Sequence, residues 1–133
     1  MDIAVLGYGV VGSGVAEVIS LNNRKIADKC RPESINVKYI LDLRKFPGDK
    51  NEDKIIDDFN VILNDDDVKI VAEAMGGLHP AFEFVSACLE KGKSVVTSNK
   101  ELVAEKGDVL LEIAAKNNVN FMFEASVGGG IPV

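Results

Sequence analysis

The sequence has few cysteines and no long apolar run. Its two cysteines, Cys30 and Cys88, lie far apart and form no CxxC pair. This spacing argues against a disulfide framework or a zinc site and favours a reduced, cytoplasmic setting. No apolar run approaches the ~20 residues that a membrane-spanning helix needs. A signal peptide is not expected either, because the start Met1-Asp2-Ile3 carries an acid where such a peptide has its basic region.

Positive charge is also scarce. The 15 Lys and Arg residues are outnumbered by 21 Asp and Glu residues, which gives a net charge of −6. A nucleic acid or an anionic membrane is therefore not an expected partner. Any phosphate that this protein binds must be held locally, by backbone N–H groups.

Short apolar runs alternate with helical segments along the chain. This alternation predicts one α/β domain over residues 1–133, with a doubly wound (Rossmann-type), mostly parallel sheet and helices on both faces. The 47% of hydrophobic residues suffices for one buried core, and no repeat or linker divides it. The predicted strands are residues 3–6, 37–41, 68–74, 94–97 and 119–124. The predicted helices are residues 10–21, 55–63, 81–90 and 108–117, with a helical turn at 100–104 and the least ordered stretch at 44–54.

A glycine-rich turn, Gly7-Tyr8-Gly9-Val10-Val11-Gly12, follows the first predicted strand and opens the first helix. In the dinucleotide-binding fingerprint the first glycine permits the tight turn, the second lets a pyrophosphate approach, and the third allows close helix–strand packing. The pyrophosphate would then lie at the positive end of the helix dipole. Gly14 would add a small residue to the packing face of that helix. The alternative is a tight turn that binds nothing.

The fingerprint also includes an acid about 20 residues after the glycines, which binds the adenosine ribose. The candidate is Asp42, which lies 30 residues after Gly12, and the polar segment 22–34 can supply the extra length. An ordinary acid at the end of a strand is an equal alternative. Arg44 and Lys45 could instead meet a 2′-phosphate or be solvated loop charges, so that NAD and NADP both stay open.

Three stretches in the second half carry a more specific pattern. They are Glu73-Ala74-Met75-Gly76-Gly77, Val95-Val96-Thr97-Ser98-Asn99-Lys100 and Glu124-Ala125-Ser126-Val127-Gly128-Gly129-Gly130-Ile131-Pro132. Together with the glycine turn, they resemble the N-terminal NAD(P)-binding domain of homoserine dehydrogenase over essentially the whole chain. The resemblance implies reversible oxidation of L-homoserine to L-aspartate 4-semialdehyde with NAD or NADP, in the pathway to threonine and methionine.

The resemblance also implies roles for single residues. Tyr8, Val10 and Val11 match cofactor-contacting positions, and Ser98 and Lys100 match a motif that approaches the nicotinamide half. A lysine beside the crevice can stabilise a cofactor phosphate or developing negative charge on a substrate oxygen. The alternative, an exposed lysine that opens a helix, would place a cation at the positive end of the helix dipole.

In that family the last glycine-rich segment holds a monovalent cation, usually sodium, through backbone carbonyls. The matching positions are Glu124, Val127, Gly129 and Ile131. The alternative is a tight turn that leads into a further domain. The family often has a basic residue before the acid of the second strand, where this chain has Leu41, and the difference tilts the expected preference slightly toward NAD.

In the family the substrate-binding, dimer-forming domain and its acid–base lysine and aspartate follow the glycine turn. We therefore interpret residues 1–133 as a piece of a longer homodimeric enzyme, with no catalytic residue of its own beyond support from Lys100. It is expected to bind a dinucleotide without turning over homoserine. The alternatives are a related amino-acid dehydrogenase and a regulatory module that binds NAD(H). His79 is expected at the surface, Asp65-Asp66-Asp67 as a solvated cap, and Cys88 in the core.

Overall fold

The computed structural model describes residues 1–18 and 35–123 and contains a six-stranded sheet. The strands are β1 (Asp2–Leu6), β2 (Asn36–Leu41), β3 (Ile55–Ile56), β4 (Val68–Glu73), β5 (Ser94–Thr97) and β6 (Phe121–Phe123). The helices are α1 (residues 10–18), α2 (Phe59–Leu63), α3 (Ala81–Glu90) and α4 (Lys100–Lys116), with a 3₁₀ turn at Glu52–Lys54.

All strand pairs are parallel, and the strand order is β3-β2-β1-β4-β5-β6. The order reverses between β1 and β4, which makes the carboxyl ends of these two strands the switch point where such folds bind ligands. The predicted doubly wound fold is confirmed. Its first strand is an apolar run because β1 is covered on both faces, with Ala4, Val5 and Leu6 fully buried.

Each face of the sheet has its own core. The residues on the α1 face include Ile3, Val5, Val37, Ile40 and Ala72, packed against Ala16 of α1. The opposite face is larger and includes α3 and α4, with Val85, Cys88, Leu89, Leu102 and Leu110 all fully buried. Burying one such aliphatic side chain contributes about 1.5–3 kcal/mol. The prediction that Cys88 lies in the core is confirmed, and burial raises the pKa of its thiol to about 12.

The predicted break between residues 104 and 108 is wrong, because α4 is one continuous helix of 17 residues. Gly107 lies in the predicted gap, and a glycine inside a helix costs only about 1 kcal/mol relative to alanine. The buried side chains of Leu102, Leu110 and Ala114 lie on both sides of it, and their packing on the sheet offsets that cost.

The prediction of a helix from residue 55 is also wrong. Ile55 and Ile56 pair with Ile40 and Leu41 as the edge strand β3. The short helix α2 begins only after Asp58, whose carboxylate accepts a hydrogen bond from the Asn60 N–H at 3.0 Å. β-branched residues favour such a pleated, half-buried surface. The remaining element ends differ from prediction by a few residues, as for β4, which ends at Glu73, and β6, which begins at Phe121.

Asp65 and Lys93 make polar contacts at the amino edge of the sheet. The Asp65 carboxylate accepts hydrogen bonds from Lys38 Nζ at 2.6 Å and from the Tyr39 hydroxyl at 2.7 Å. These donors, Lys38 first, lower the pKa of Asp65 to about 2. Asp65 is therefore not the solvated cap that was predicted. Buried Lys93 donates to the carbonyl oxygens of Asp65 and Val68 at 2.7 and 2.8 Å, and its burial lowers its pKa.

Within residues 1–18 and 35–123, no helix is long and apolar enough to cross a membrane. These ranges also contain no group of three or more His, Cys, Asp or Glu side chains that could hold a metal ion.

Candidate functional site

The candidate site lies where the carboxyl ends of β1, β2 and β4 meet. Gly7 leaves β1 and donates its N–H to the Leu41 carbonyl at 2.8 Å, and Ala74 donates to the Leu6 carbonyl at 2.8 Å. These bonds hold the glycine turn between the ends of the two neighbouring strands. The turn therefore occupies the switch point of the sheet.

Two of the three fingerprint glycines are required by the fold itself. Gly7 has φ +96°, and a Cβ there would lie 3.0 Å from the Ala74 carbonyl oxygen. A Cβ on Gly12 would lie 1.8 Å from the Gly7 carbonyl oxygen, because the first turn of α1 packs directly on the end of β1. Both positions exclude a side chain with or without a ligand.

Gly9 differs from both. A Cβ at this position would meet only the Arg44 Nη2 atom, at 3.9 Å, and the glycine has no positive φ. Its carbonyl accepts the Ser13 N–H at 2.9 Å, so that Gly9 caps the amino end of α1. Nothing in the described part of the protein needs a glycine here. Gly9 is the second glycine of the fingerprint. In dinucleotide-binding folds this glycine leaves space for a pyrophosphate to approach the backbone.

The amino end of α1 is exposed toward this space. Val10 is 91% exposed and Val11 49% exposed, although both are apolar. The first N–H groups of a helix have no acceptor within the helix, and they carry its positive partial charge. This end of α1 can therefore bind an anion through its backbone.

Gly14 lies further along α1 and was predicted on its packing face. That prediction is wrong, because Gly14 is exposed and a Cβ there would meet no atom of residues 1–18 and 35–123 within 4 Å.

Asp42 follows β2 and lies beside the glycine turn, where the ribose-binding acid of the fingerprint is expected. Its Oδ2 accepts the Tyr8 N–H at 2.9 Å and Arg44 Nη2 at 2.8 Å. Its Oδ1 accepts the Arg44 N–H at 2.9 Å and Arg44 Nε at 3.0 Å. The Arg44 guanidinium holds the pKa of the Asp42 carboxyl well below its usual range. Asp42 is therefore a carboxylate whose oxygens are held by Arg44 and the turn.

Tyr8 points its side chain away from the glycine turn. Its ring packs edge-on against Phe46 at 5.0 Å between centroids. Its hydroxyl donates to Asp49 Oδ2 at 2.8 Å and accepts from Asn51 Nδ2 at 3.0 Å. These contacts order the 44–54 stretch, which the sequence suggested was the least ordered. Tyr8 thus offers the site its backbone rather than its ring.

A cavity of about 420 Å³ opens beside the turn on the β2 side. Its lining includes Gly9, the polar side chains of Asp42 and Arg44, and the apolar or aromatic side chains of Phe59, Met75 and Phe84. Such a mixture is typical of small-molecule sites.

A second cavity, of about 320 Å³, opens on the side of β4, β5 and β6. Two of the predicted site residues, Val11 and Ser98, line it together with Phe123. Lys100 is the exposed first residue of α4 and follows the Asn99 cap. The structure thus groups Gly7, Gly9 and Asp42 around one cavity, and Val11 and Ser98 around the other.

A buried polar cluster at the carboxyl ends of β4 and β5 was missed by the sequence reasoning. It consists of Glu73, Thr97 and Asn99, which are 1%, 4% and 5% exposed. The sequence signal was an acid in the last position of a strand, directly after the apolar residues Ile70, Val71 and Ala72. The predicted cation ligands Glu124, Val127, Gly129 and Ile131 lie outside the described residues, and that prediction stays a prediction.

The chain matches the family model described as the NAD-binding domain of homoserine dehydrogenase over residues 7–124. It is 35% identical to a homoserine dehydrogenase of Lactococcus lactis, in an alignment that covers 100% of this chain and 32% of the relative. The homoserine dehydrogenase of Bacillus subtilis is also 35% identical, with 98% and 31% covered. The crystal structure of S. aureus homoserine dehydrogenase is similar with a TM-score of 0.83 and 38% identity, over 94% of this chain and 32% of that one. The chain therefore spans about a third of the length of the relatives it matches.

Proposed function

This chain belongs to the family of homoserine dehydrogenase NAD-binding domains, and on that premise we propose how it binds its dinucleotide. The observation that carries the proposal is the open space over Gly9. The described part of the fold does not need a glycine at this position, and a pyrophosphate would fill the space. The pyrophosphate lies on the N–H groups at the amino end of α1. Val10 and Val11 flank it, and Gly7 and Gly12 shape the turn beneath.

The two halves of the cofactor take the two cavities. In this fold the half of the sheet that contains β1 and β2 binds the adenosine, with its ribose on the acid after β2. The adenosine then enters the 420 Å³ cavity beside Asp42, where Phe59 and Phe84 offer an apolar wall. The nicotinamide half enters the 320 Å³ cavity beside Ser98. Lys100, two residues further along the chain at the start of α4, is the cation assigned to it.

The activity of the full protein is part of this proposal. It is the reversible oxidation of L-homoserine to L-aspartate 4-semialdehyde, in the route to threonine and methionine. The cofactor supplies hydride transfer, while these residues bind and orient it. Resemblance to the family supports the remaining parts of the proposal. These are the acid–base residues, the homodimer contacts, the cytoplasmic location, and sodium at Glu124, Val127, Gly129 and Ile131.

The first test is a calorimetric titration of the 133-residue chain with NADH, paired with an assay of NAD⁺ reduction by L-homoserine. We expect saturable binding of one NADH per chain and no turnover, because the acid–base groups are assigned to the rest of the protein. Absence of NADH binding would contradict the proposed site. Turnover by this chain alone would contradict the assignment of catalysis to the rest.

We also propose a preference for NAD over NADP. A 2′-phosphate that recruits Arg44 would approach the Asp42 carboxylate, which lies 2.8 Å from the guanidinium, and the two anions would repel each other. Ribose hydroxyls can instead replace the guanidinium as donors to that carboxylate. Leu41 adds no positive charge at the end of β2 to offset the phosphate.

We therefore expect the chain to bind NADH about tenfold more tightly than NADPH, a difference of ~1.4 kcal/mol. Asp42→Asn should bring the two affinities close together, because it removes the repulsion and weakens the ribose contact. Calorimetry with both reduced cofactors measures the ratio, and Lys45→Met serves as the control for a loop charge that does not contact Asp42. Tighter binding of NADPH by the unmodified chain, lost in Arg44→Met, would instead identify Arg44 as a phosphate ligand.

A further inference from the structure

The last residue of β4, Glu73, is a buried acid that binds groups from two other loops. Its carboxylate accepts the Met75 N–H at 2.8 Å and Asn99 Nδ2 at 3.4 Å through Oε2. Its other oxygen, Oε1, accepts the hydroxyl of Thr97 at the end of β5. One carboxylate thus joins the loop after β4 to the loop after β5.

Asn99 extends this cluster to α4. Its Nδ2 also donates to the Gly77 carbonyl at 2.6 Å, and its Oδ1 caps α4 by accepting the Leu102 N–H at 3.1 Å. Its backbone N–H donates to Thr97 Oγ1 at 2.9 Å. The loop of residues 74–77 and the start of α4 are therefore fixed relative to each other by buried hydrogen bonds.

Burying such a polar cluster between two loops costs free energy. A buried carboxylate loses its hydration, and well-packed apolar residues in place of a buried polar group are often neutral or stabilising. Its hydrogen bonds do, however, hold backbone at defined positions. What they hold here is the Ser98–Lys100 segment, since Thr97 and Asn99 flank Ser98 and Asn99 directly precedes Lys100.

We propose that Glu73 is a positioning residue for the nicotinamide half of the cofactor. It acts through Thr97 and Asn99, which flank Ser98 of the 320 Å³ cavity and set where the following Lys100 begins α4. Glu73 and Thr97 themselves line that cavity. The inference rests on the dinucleotide site proposed above and names the group that shapes one half of it. The acid that binds the adenosine ribose, Asp42, is outside this cluster.

The test compares NADH with ADP-ribose, which has the adenosine and pyrophosphate but no nicotinamide. Calorimetric titration of Glu73→Gln should show NADH affinity lowered about tenfold, because small displacements of positioning groups have large effects. Its ADP-ribose affinity should stay within about twofold of the unmodified chain. Glu90→Gln, the same change at an exposed position on α3, is the matched control and should alter neither affinity.

A second pair of variants keeps the test decisive if Glu73→Gln does not fold. Thr97→Val removes the hydroxyl and should reproduce the selective loss, and Thr97→Ser should restore NADH binding because it keeps the hydroxyl. Equal losses for both ligands, or no loss for either, would overturn the role of Glu73 while leaving the dinucleotide site intact. An unmodified chain that binds neither ligand would overturn the proposed site, and this inference with it.

Discussion

Replacing Gly9 with alanine is expected to weaken NADH binding at least about tenfold, or ~1.4 kcal/mol, while the protein stays folded. The methyl group would enter the space where the pyrophosphate approaches the backbone, and among the described residues it would meet only Arg44 Nη2, at 3.9 Å. The cost to the free protein should be about 1 kcal/mol or less, because alanine caps a helix less well than glycine. Calorimetry for binding and urea denaturation for stability measure the two effects.

Gly14→Ala is the matched control for this substitution. It places the same methyl group on the same helix, at an exposed position where a Cβ meets nothing within 4 Å. It should raise stability by about 0.5–1 kcal/mol and leave NADH affinity unchanged. If Gly9→Ala bound NADH as tightly as the Gly14→Ala control does, the open space over Gly9 would not be the pyrophosphate site.

Replacing Gly12 with alanine should mainly lower the stability of the protein, whereas Gly9→Ala should mainly weaken NADH binding. The added Cβ would lie 1.8 Å from the Gly7 carbonyl oxygen, which is backbone and cannot rotate away. Helix α1 would have to move off the end of β1, and we expect the free energy of unfolding to fall by ~3 kcal/mol. NADH binding should fall as a consequence of the displaced helix.

Urea denaturation measures this loss, with Gly107→Ala as the control. That glycine also lies inside a helix, but its Cβ would meet only the Val103 side chain at 3.5 Å, an ordinary contact. The control should be as stable as the unmodified chain or more stable, by up to about 1 kcal/mol. A Gly12→Ala variant of unchanged stability would mean that α1 does not pack on β1 as closely as the structure has it.

The glycine turn and the sheet around it could be predicted from sequence because their signals are local. A fully buried parallel strand has to be an apolar run, and β1 is one. The change from that run to glycines and then to helical spacing marks the strand, the turn and the helix within 18 residues. The parallel topology follows from the alternation of such units, since parallel strands need crossover connections.

The surroundings of the turn could not be predicted because they depend on contacts between distant segments. Asp42 carried the expected signal of a strand-end acid, but its hydrogen bond from the Tyr8 N–H joins residues 34 apart in the sequence. The Tyr8 hydroxyl pairs with Asp49, 41 residues away, and no local pattern indicates that contact. Glu73 meets Thr97 and Asn99 only after β4 and β5 pair.

Contacts between distant segments also explain why α4 continues through the predicted break. Helix propensity at Gly107 is a local signal of about 1 kcal/mol, and it is outweighed by the burial of Leu102 and Leu110 against the sheet. The β3 error is similar, since pairing with β2 decides the conformation of Ile55 and Ile56. In both cases tertiary packing overrides the local preference.

The most direct test of the proposed site is an NMR titration of the ¹⁵N-labelled 133-residue chain with NADH. We expect the largest amide shifts at residues 9–13, where the pyrophosphate meets α1, with further shifts at 42–44, 75–77 and 98–100. Amides at the amino edge, such as those of residues 64–68 and Lys93, should move little. Saturating NADH that leaves the amides of residues 9–13 unshifted, or that shifts the amino edge instead, would contradict the account.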